Sequence, residues 1–599
     1  MHKLKSIFVF TISLFSTFSI FCQQIDDPEI TAEEIQQHIN YFASDDLKGR
    51  DSGTEELFEA SNYIKDEFVS YGLKPLFNES YLQEFSFIKS IELTENNKLV
   101  FSVHGDQISP DLNVEYTTVP FSGNAAVEGN LIFAGFGISA SDLDYDDYEG
   151  IDVTGKVIIV MRNTPEPDVP HSEFDAYSPL RKKASVARDK GAIGIIFVNP
   201  YNGHKKEDDL IDFEYDRGGA ITEFPVINVK RSLVEKLFAE EEITFNDYYN
   251  KIIKTKKSAS FEFKNSTASI KTEIEEVESI SWNVGGYFEG GDPELKNEQI
   301  IIGAHFDHLG MGGDGSLYRG DEPQIHNGAD DNASGTTGVL ELAEKFSSVK
   351  NNLKRSVVFL AVSGEELGLL GSNYFVNNMP FPSENAITMI NMDMIGRLKD
   401  SSLIVYGTGT SSNWKDILNE QNKYKFNLSF NDEGYGPSDH SSFYGKKIPV
   451  LFFFTGTHED YHKPSDDSEN INAEGEEAIL NYIFNVAMNI DQNPERPDYL
   501  LVENEESGKM FVRRVYVGTI PDFAGNVDGY KISGVSEGSP AQIAGLKGGD
   551  IIIEFGGRKI SNIYDFTYAL ADFVPGDIVD VVLKRGEQEL TFTVELASK

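Results

Sequence analysis

Four apolar, β-branched runs in this chain end in residues that bind hard or borderline metal ions. Ala304 leads into His305-Phe306-Asp307-His308, and Val362 into Ser363-Gly364-Glu365-Glu366. Ile390 leads into Asn391-Met392-Asp393, and Phe454 into a segment that closes on Tyr461-His462. A fifth stretch, Asn327-Gly328-Ala329-Asp330-Asp331-Asn332-Ala333-Ser334-Gly335, reads as a tight polar loop opening a helix and can supply a carboxylate that bridges two metals. Imidazole nitrogen and carboxylate oxygen, with no sulfur at hand, favour zinc. Each segment alone has an ordinary explanation. A histidine after a strand is mostly a hydrogen-bonded loop residue, Asp330-Asp331 could cap a helix, and Glu365-Glu366 could be a solvated turn. Adjacent glutamates directly behind a buried-strand pattern are costly unless paired or metal-bound. Five such elements on one sheet edge make the ordinary explanations improbable together.

The elements that must hold these residues fall between about residues 270 and 493. Strand-like runs at 299–304, 356–362, 386–390 and 448–454 alternate with helical patterns at 334–346, 372–378 and 474–490. That alternation predicts a mixed, mainly parallel α/β sheet flanked by helices, and such sheets build their sites just beyond the carboxyl ends of the strands. Upstream, helical periodicity covers 31–42 and 55–71, separated by the Gly-punctuated loop Leu47-Lys48-Gly49-Arg50-Asp51-Ser52-Gly53-Thr54. From about residue 121 to 269 the pattern is β-rich, with strands expected at 130–136, 156–161 and 192–198 and a helix at 180–190. After a Pro- and Glu-rich linker at 493–507, the last ninety or so residues read as short strands and Gly turns.

With 599 residues, one hydrophobic core does not suffice, and two to four domains are expected. Asp plus Glu number 97 against 52 Lys plus Arg, a formal net charge of −45. That balance repels nucleic acid and anionic membrane, since there is no basic surface to displace phosphate counterions. Residues 1–22 read as an export leader, with Lys3 and Lys5 before an apolar run from Ile7 to Phe21 that is short for a membrane span. No other stretch is apolar enough to cross a membrane. The single cysteine, Cys22, lies at the leader's end, which removes disulfides and thiolate chemistry from the mature chain. A periplasmic or secreted location is expected, with a lipoprotein attached through Cys22 ranked second because Phe21 is bulky.

Taken together, His305-x-Asp307, Gly328-Ala329-Asp330-Asp331-Asn332-Ala333-Ser334-Gly335, Glu365-Glu366, Asn391-Met392-Asp393 and Tyr461-His462-x-Pro464 resemble the co-catalytic di-zinc aminopeptidase family. Bacterial leucyl aminopeptidases and, more distantly, glutamate carboxypeptidase II belong to it. The resemblance implies two Zn2+ ions per chain, with Asp330 bridging them, His305 and Asp393 completing one, and Glu366 and His462 the other. It implies that Asp307 orients His305, that a cis peptide joins Asp330 to Asp331, and that Tyr461 hydrogen-bonds the oxyanion. Glu365, beside a ligand but not needed as one, is then the base that takes a proton from the zinc-activated water. The expected activity is removal of N-terminal residues from peptides. The alternatives are a carboxypeptidase or dipeptidase of the same fold, with Arg319 or Arg397 clamping a terminal carboxylate, and a receptor-like binding protein.

Two motifs compete with this assignment. His458-Glu459-Asp460-Tyr461-His462 satisfies the His-Glu-x-x-His pattern, but that pattern needs a helix, and Gly456 and Pro464 bracket it. Ser438-Asp439-His440 suggests a serine triad, but three sequence neighbours do not converge as one, and a substrate-pocket wall is the expected role. The stretch 121–269 resembles a protease-associated domain through Gly155-Lys156-Val157-Ile158-Ile159-Val160 and Gly191-Ala192-Ile193-Gly194-Ile195-Ile196-Phe197. Residues 508–599 resemble a small PDZ-like β+α domain through Gly538-Ser539-Pro540-Ala541 and Gly549-Asp550-Ile551-Ile552. A peptide C-terminus at Val517-Gly518-Thr519-Ile520 is the implied partner; Pro521 removes one donor, and docking within the chain is the equal alternative. The expected division is leader 1–22, peptidase 23–120 with 270–495, insert 121–269 and PDZ 508–599.

Overall fold

Thr31 and Thr54 each open a helix by accepting a backbone N–H, from Glu34 and Leu57 respectively. The helices Ala32–Phe42 and Glu55–Tyr71 bury Ile35, Ile39, Phe42, Ile64 and Phe68, and the second stops at Gly72 in the left-handed region (φ 80°). Both pack with the helices Gly335–Val349 and Ala473–Gln492 on one face of a nine-stranded mixed sheet. This computed structural model describes residues 29–502, 515–521 and 527–597, apart from 168, 170, 171, 202–207, 216, 314, 319, 321, 536, 537, 571, 572, 574 and 575. The leader and Cys22 therefore lie outside the described residues, as does Arg319. Among the described residues no helix is long and apolar enough to cross a membrane.

In the centre of the sheet, Ser356–Val362, Gln299–His305, Ala386–Met392 and Val450–Phe454 lie side by side in that order, all parallel. They are buried on both faces, which is why they read as continuous apolar runs. His305 pairs with Val362, Gly303 with Asn391, and Met392 with Phe453. The register brings the carboxyl ends of all four strands to one edge. Antiparallel strands flank this block, Ile274–Phe288 on one side and Ser402–Tyr406 on the other.

A long antiparallel ladder between Leu82–Leu93 and Ile274–Phe288 carries the chain out to the insert and back. The insert has its own eight-stranded sheet, from Lys98–Val103 to Phe261–Thr272, with a separate apolar core on each face. It begins earlier than expected. Residues 98–118, grouped above with the peptidase segments, belong to this sheet, because Leu99, Phe101 and Val103 alternate into its core and their strand pairs with Phe261–Thr272. The C-terminal unit is a six-stranded sheet. Its helix Pro540–Ala544 is capped by Ser539 and ended by Gly545 at φ 97°, followed by the strand Ile551–Phe555. This unit rests on the insert helix Leu180–Asp189: Arg188 Nη1 is 3.0 Å from Asp565 Oδ2 and donates to Ser561 Oγ at 3.1 Å, and Ser185 Oγ bonds Asp565.

Glu341, on the helix Gly335–Val349, is 1% exposed, and neither carboxyl oxygen has a hydrogen-bond partner among the described residues. Burial first, then the Glu34 and Glu344 charges, push its pKa up from 4.5 to about 9. The folded protein thus keeps a proton that the unfolded chain releases above pH 4.5. The stabilisation this gives is complete below that pH and shrinks as pH rises toward 9, by up to about 1.4 kcal/mol per pH unit. Glu341→Gln keeps the shape without the proton. Its melting temperature relative to the wild type should climb steadily from pH 5 to pH 8.5; a difference that stays flat would contradict the assignment.

Candidate metal centre

His305 ends its strand with Nε2 aimed past the sheet edge, 3.5 Å from Asp331 Oδ1 and 3.5 Å from Asp393 Oδ1. Across the same carboxylate, His462 Nε2 lies 3.2 Å from Asp331 Oδ2 and 3.4 Å from Glu366 Oε2. Zinc ligands at about 2.0–2.2 Å in a tetrahedral shell stand roughly 3.3–3.6 Å apart. The two sets of donors have that spacing. His305 Nε2 and Asp393 Oδ1 are buried without a hydrogen-bond partner among the described residues, as donors reserved for a cation are. The donors therefore fit a metal centre, with Asp331 common to both sets. The charges fit as well. Burial acts against the His305 imidazolium, but the Asp393 and Glu365 charges hold its pKa well above 6.5. Burial works against His462 too, yet its bond to Asp331 and the Glu366 charge raise it to about 9. Burial brings Glu366 up to about 7.

The structure places the neighbouring aspartates differently from the sequence reading. Asp330, expected to bridge, points away from the histidine pair: its Oδ1 accepts from Gly396 N–H at 2.7 Å and Ser334 Oγ at 3.1 Å, and its Oδ2 lies 3.2 Å from His458 Nε2. The backbone departs from helical geometry at Asp331 (φ −105°, ψ 92°), which sends adjacent side chains to opposite sides and leaves Asp331 facing the histidines. The cis peptide joins Asp331 to Asn332, not Asp330 to Asp331. Asp466 Oδ2 accepts the N–H groups of both Asp330 and Asp331, and Asn332 ties the loop to Met392 O and Met394 N–H.

Asp307 is fully buried, but its carboxylate serves others more than His305. Oδ1 accepts from Glu365 N–H at 3.2 Å and Oδ2 from Ser52 Oγ at 3.1 Å. His305 Nδ1 is closer to the Asp307 carbonyl (3.2 Å) than to its carboxylate (3.7 Å). Glu365 is partly buried, and burial pushes its carboxyl well above 4.5 while the His305 charge pulls it back. The Tyr461 ring stacks on His462 at 3.8 Å. No helix forms over 458–462, so the His-Glu-x-x-His match has no common face to work from. Ser438 accepts a hydrogen bond from Asn391 Nδ2, and Asp439 and His440 are buried beside Glu365 and Asp393. Arg397 bonds Asp466 at 3.1 Å and Asp460 at 3.4 Å, which occupies it as a carboxylate clamp.

His308 escaped assignment, although it stands within the first motif. Its Nδ1 is 2.7 Å from Glu366 Oε1, a hydrogen-bond distance that is too short for two donors on one ion, so it holds Glu366 in place. It also belongs, with Asp331 and Glu366, to a set of donor atoms all within 4.8 Å of one another.

A mixed α/β sheet whose parallel centre brings imidazoles and carboxylates into one crevice beyond its strand ends has the zinc-peptidase architecture. Residues 283–487 match peptidase family M28. Residues 124–237 match the PA domain and residues 503–596 the PDZ domain. Leucine aminopeptidase 2 of Trichophyton rubrum is 28% identical over 222 residues, 32% of this chain and 41% of that protein. Aminopeptidase YwaD of Bacillus subtilis (strain 168) is 26% identical over 334 residues, 54% of this chain and 60% of that one. The chain thus spans less than two thirds of either relative. The solved aminopeptidase from Aneurinibacillus sp. strain AM-1 is 21% identical, covering 80% of this chain and 97% of that one, with a TM-score of 0.46.

Proposed function

We propose that this chain is an exported, two-zinc aminopeptidase that removes N-terminal residues from peptides. The observation that carries the reading is the shared carboxylate, with Asp331 Oδ1 facing His305 and Asp393 while Oδ2 faces His462 and Glu366. The family match and the aminopeptidases among the relatives support the reaction class. Bound zinc would supply an activated water and polarise the scissile carbonyl. Glu365 takes the water's proton and returns it to the leaving amine. Asp307 fixes the Glu365 backbone, His308 steadies Glu366, and Tyr461, whose ring stacks on His462, donates to the oxyanion. The leader at 1–22 supports export, and the PDZ unit would take a peptide C-terminus. The division we favour is 23–97 with 273–495 for the peptidase, 98–272 for the insert and 508–599 for the PDZ unit.

The test is metal content together with hydrolysis of aminoacyl p-nitroanilides and their N-acetylated forms. Two zinc ions per chain are expected, with cleavage of the unblocked set alone, loss with a chelator and recovery on adding zinc. Chelator-resistant turnover, or equal cleavage of both sets, would overturn the reading.

A further inference from the structure

The loop Lys48 to Gly53 has backbone geometry that calls for explanation. Lys48, Gly49 and Arg50 follow one another in the left-handed region, at φ 43°, 72° and 49°. Non-glycine residues adopt it at a cost, and such strain persists only where the surroundings fix it. A side chain at Gly49 would collide with the carbonyl oxygens of His326 and Gly310. This turn buries Arg50 completely and aims its guanidinium at four backbone carbonyls, three of them far away in sequence. Nε donates to Phe306 O at 2.9 Å, Nη1 to Asn327 O at 2.7 Å and to Phe42 O, and Nη2 to Gly328 O at 3.0 Å. Phe306 lies between His305 and Asp307, and Gly328 three residues before Asp331. In return, Arg50 O accepts His308 N–H and Gly49 O accepts Gly310 N–H. Ser52 then reaches Asp307 Oδ2.

We infer that Arg50 is a positioning residue that clamps the His305 and Asp331 loops at a fixed separation, with Ser52 holding Asp307 in the same arrangement. The clamp rests on the two-metal reading above. Arg50 lies outside the stretch that matches family M28, so a segment more than 230 residues upstream completes the centre. The planar guanidinium suits this task because its donors point in fixed directions, and a lysine ammonium keeps the charge without that fork. Loss of partners that orient ligands typically weakens metal binding 10–100-fold.

The test uses cobalt(II) as the probe on the full chain, read by equilibrium dialysis and by the visible d–d absorption. The wild type should take up two ions. Arg50→Lys should bind them at least tenfold more weakly, with an altered band shape. Ser52→Ala, a milder change that serves if Arg50→Lys does not fold, should weaken binding about threefold to tenfold. Ile64→Val, in the core of the neighbouring helix, is the control for lost stability and should lower the melting temperature with affinity and spectrum unchanged. If the folded Arg50→Lys, or Ser52→Ala in its place, matches the wild type in cobalt affinity and spectrum, the clamp is refuted while the two-metal reading stands. A wild type that takes up no cobalt refutes both.

Discussion

Glu365→Gln should lower kcat about 10³-fold and leave two metal ions per chain in place. The substitution keeps the side chain's size and removes its ability to accept a proton, and a positioned acid–base group contributes about 10²- to 10⁴-fold. Its backbone N–H stays bonded to Asp307, so the loop carrying Glu366 should not shift. Substrate binding does not need the proton, so KM should change far less than kcat. Metal analysis beside steady-state kinetics separates the outcomes. A rate within tenfold of wild type would remove Glu365 as the base, and a loss of metal would make it a ligand or a support instead.

The second large effect distinguishes two neighbours that the sequence presents as near equivalents. Asp331→Asn should reduce metal affinity at least about 100-fold, beyond the range typical of supporting residues, because one carboxylate faces both donor sets. Asp330→Asn should cost much less. Its amide oxygen can still accept from Gly396 and Ser334, and only the contact with His458 is weakened. Zinc affinity of the two variants, measured by competition with a chromophoric chelator, decides the matter. If Asp330→Asn proves the more damaging, the bridging role returns to Asp330.

That distinction marks where sequence reasoning reached its limit. His305, Glu366 and Asp393 were legible because each follows a buried parallel strand, and a strand's end fixes where its next residues emerge. Asp330 and Asp331 stand in a loop whose side-chain directions depend on dihedral angles, φ −105° at Asp331 and −133° at Asn332, that no local pattern specifies. Arg50 was invisible for a different reason. Three of its four partners are backbone carbonyls 256 to 278 residues away, and a carbonyl leaves no trace in residue type. The start of the insert was misplaced because Lys98–Val103 and Asp106–Ile108 are short strands broken by polar turns, and only their pairing reveals the sheet they join.

The ladder between Leu82–Leu93 and Ile274–Phe288 bears on how the chain is made. Its first strand leaves the ribosome some 180 residues before its partner, roughly ten to thirty-five seconds at ordinary rates of synthesis. In that interval the N-terminal helices have only each other to pack on, while residues 98–272 already hold an apolar interior of their own. The insert can therefore close its interior before the peptidase sheet exists, and the segment carrying Arg50 gains its partners at Phe306, Asn327 and Gly328 only after that.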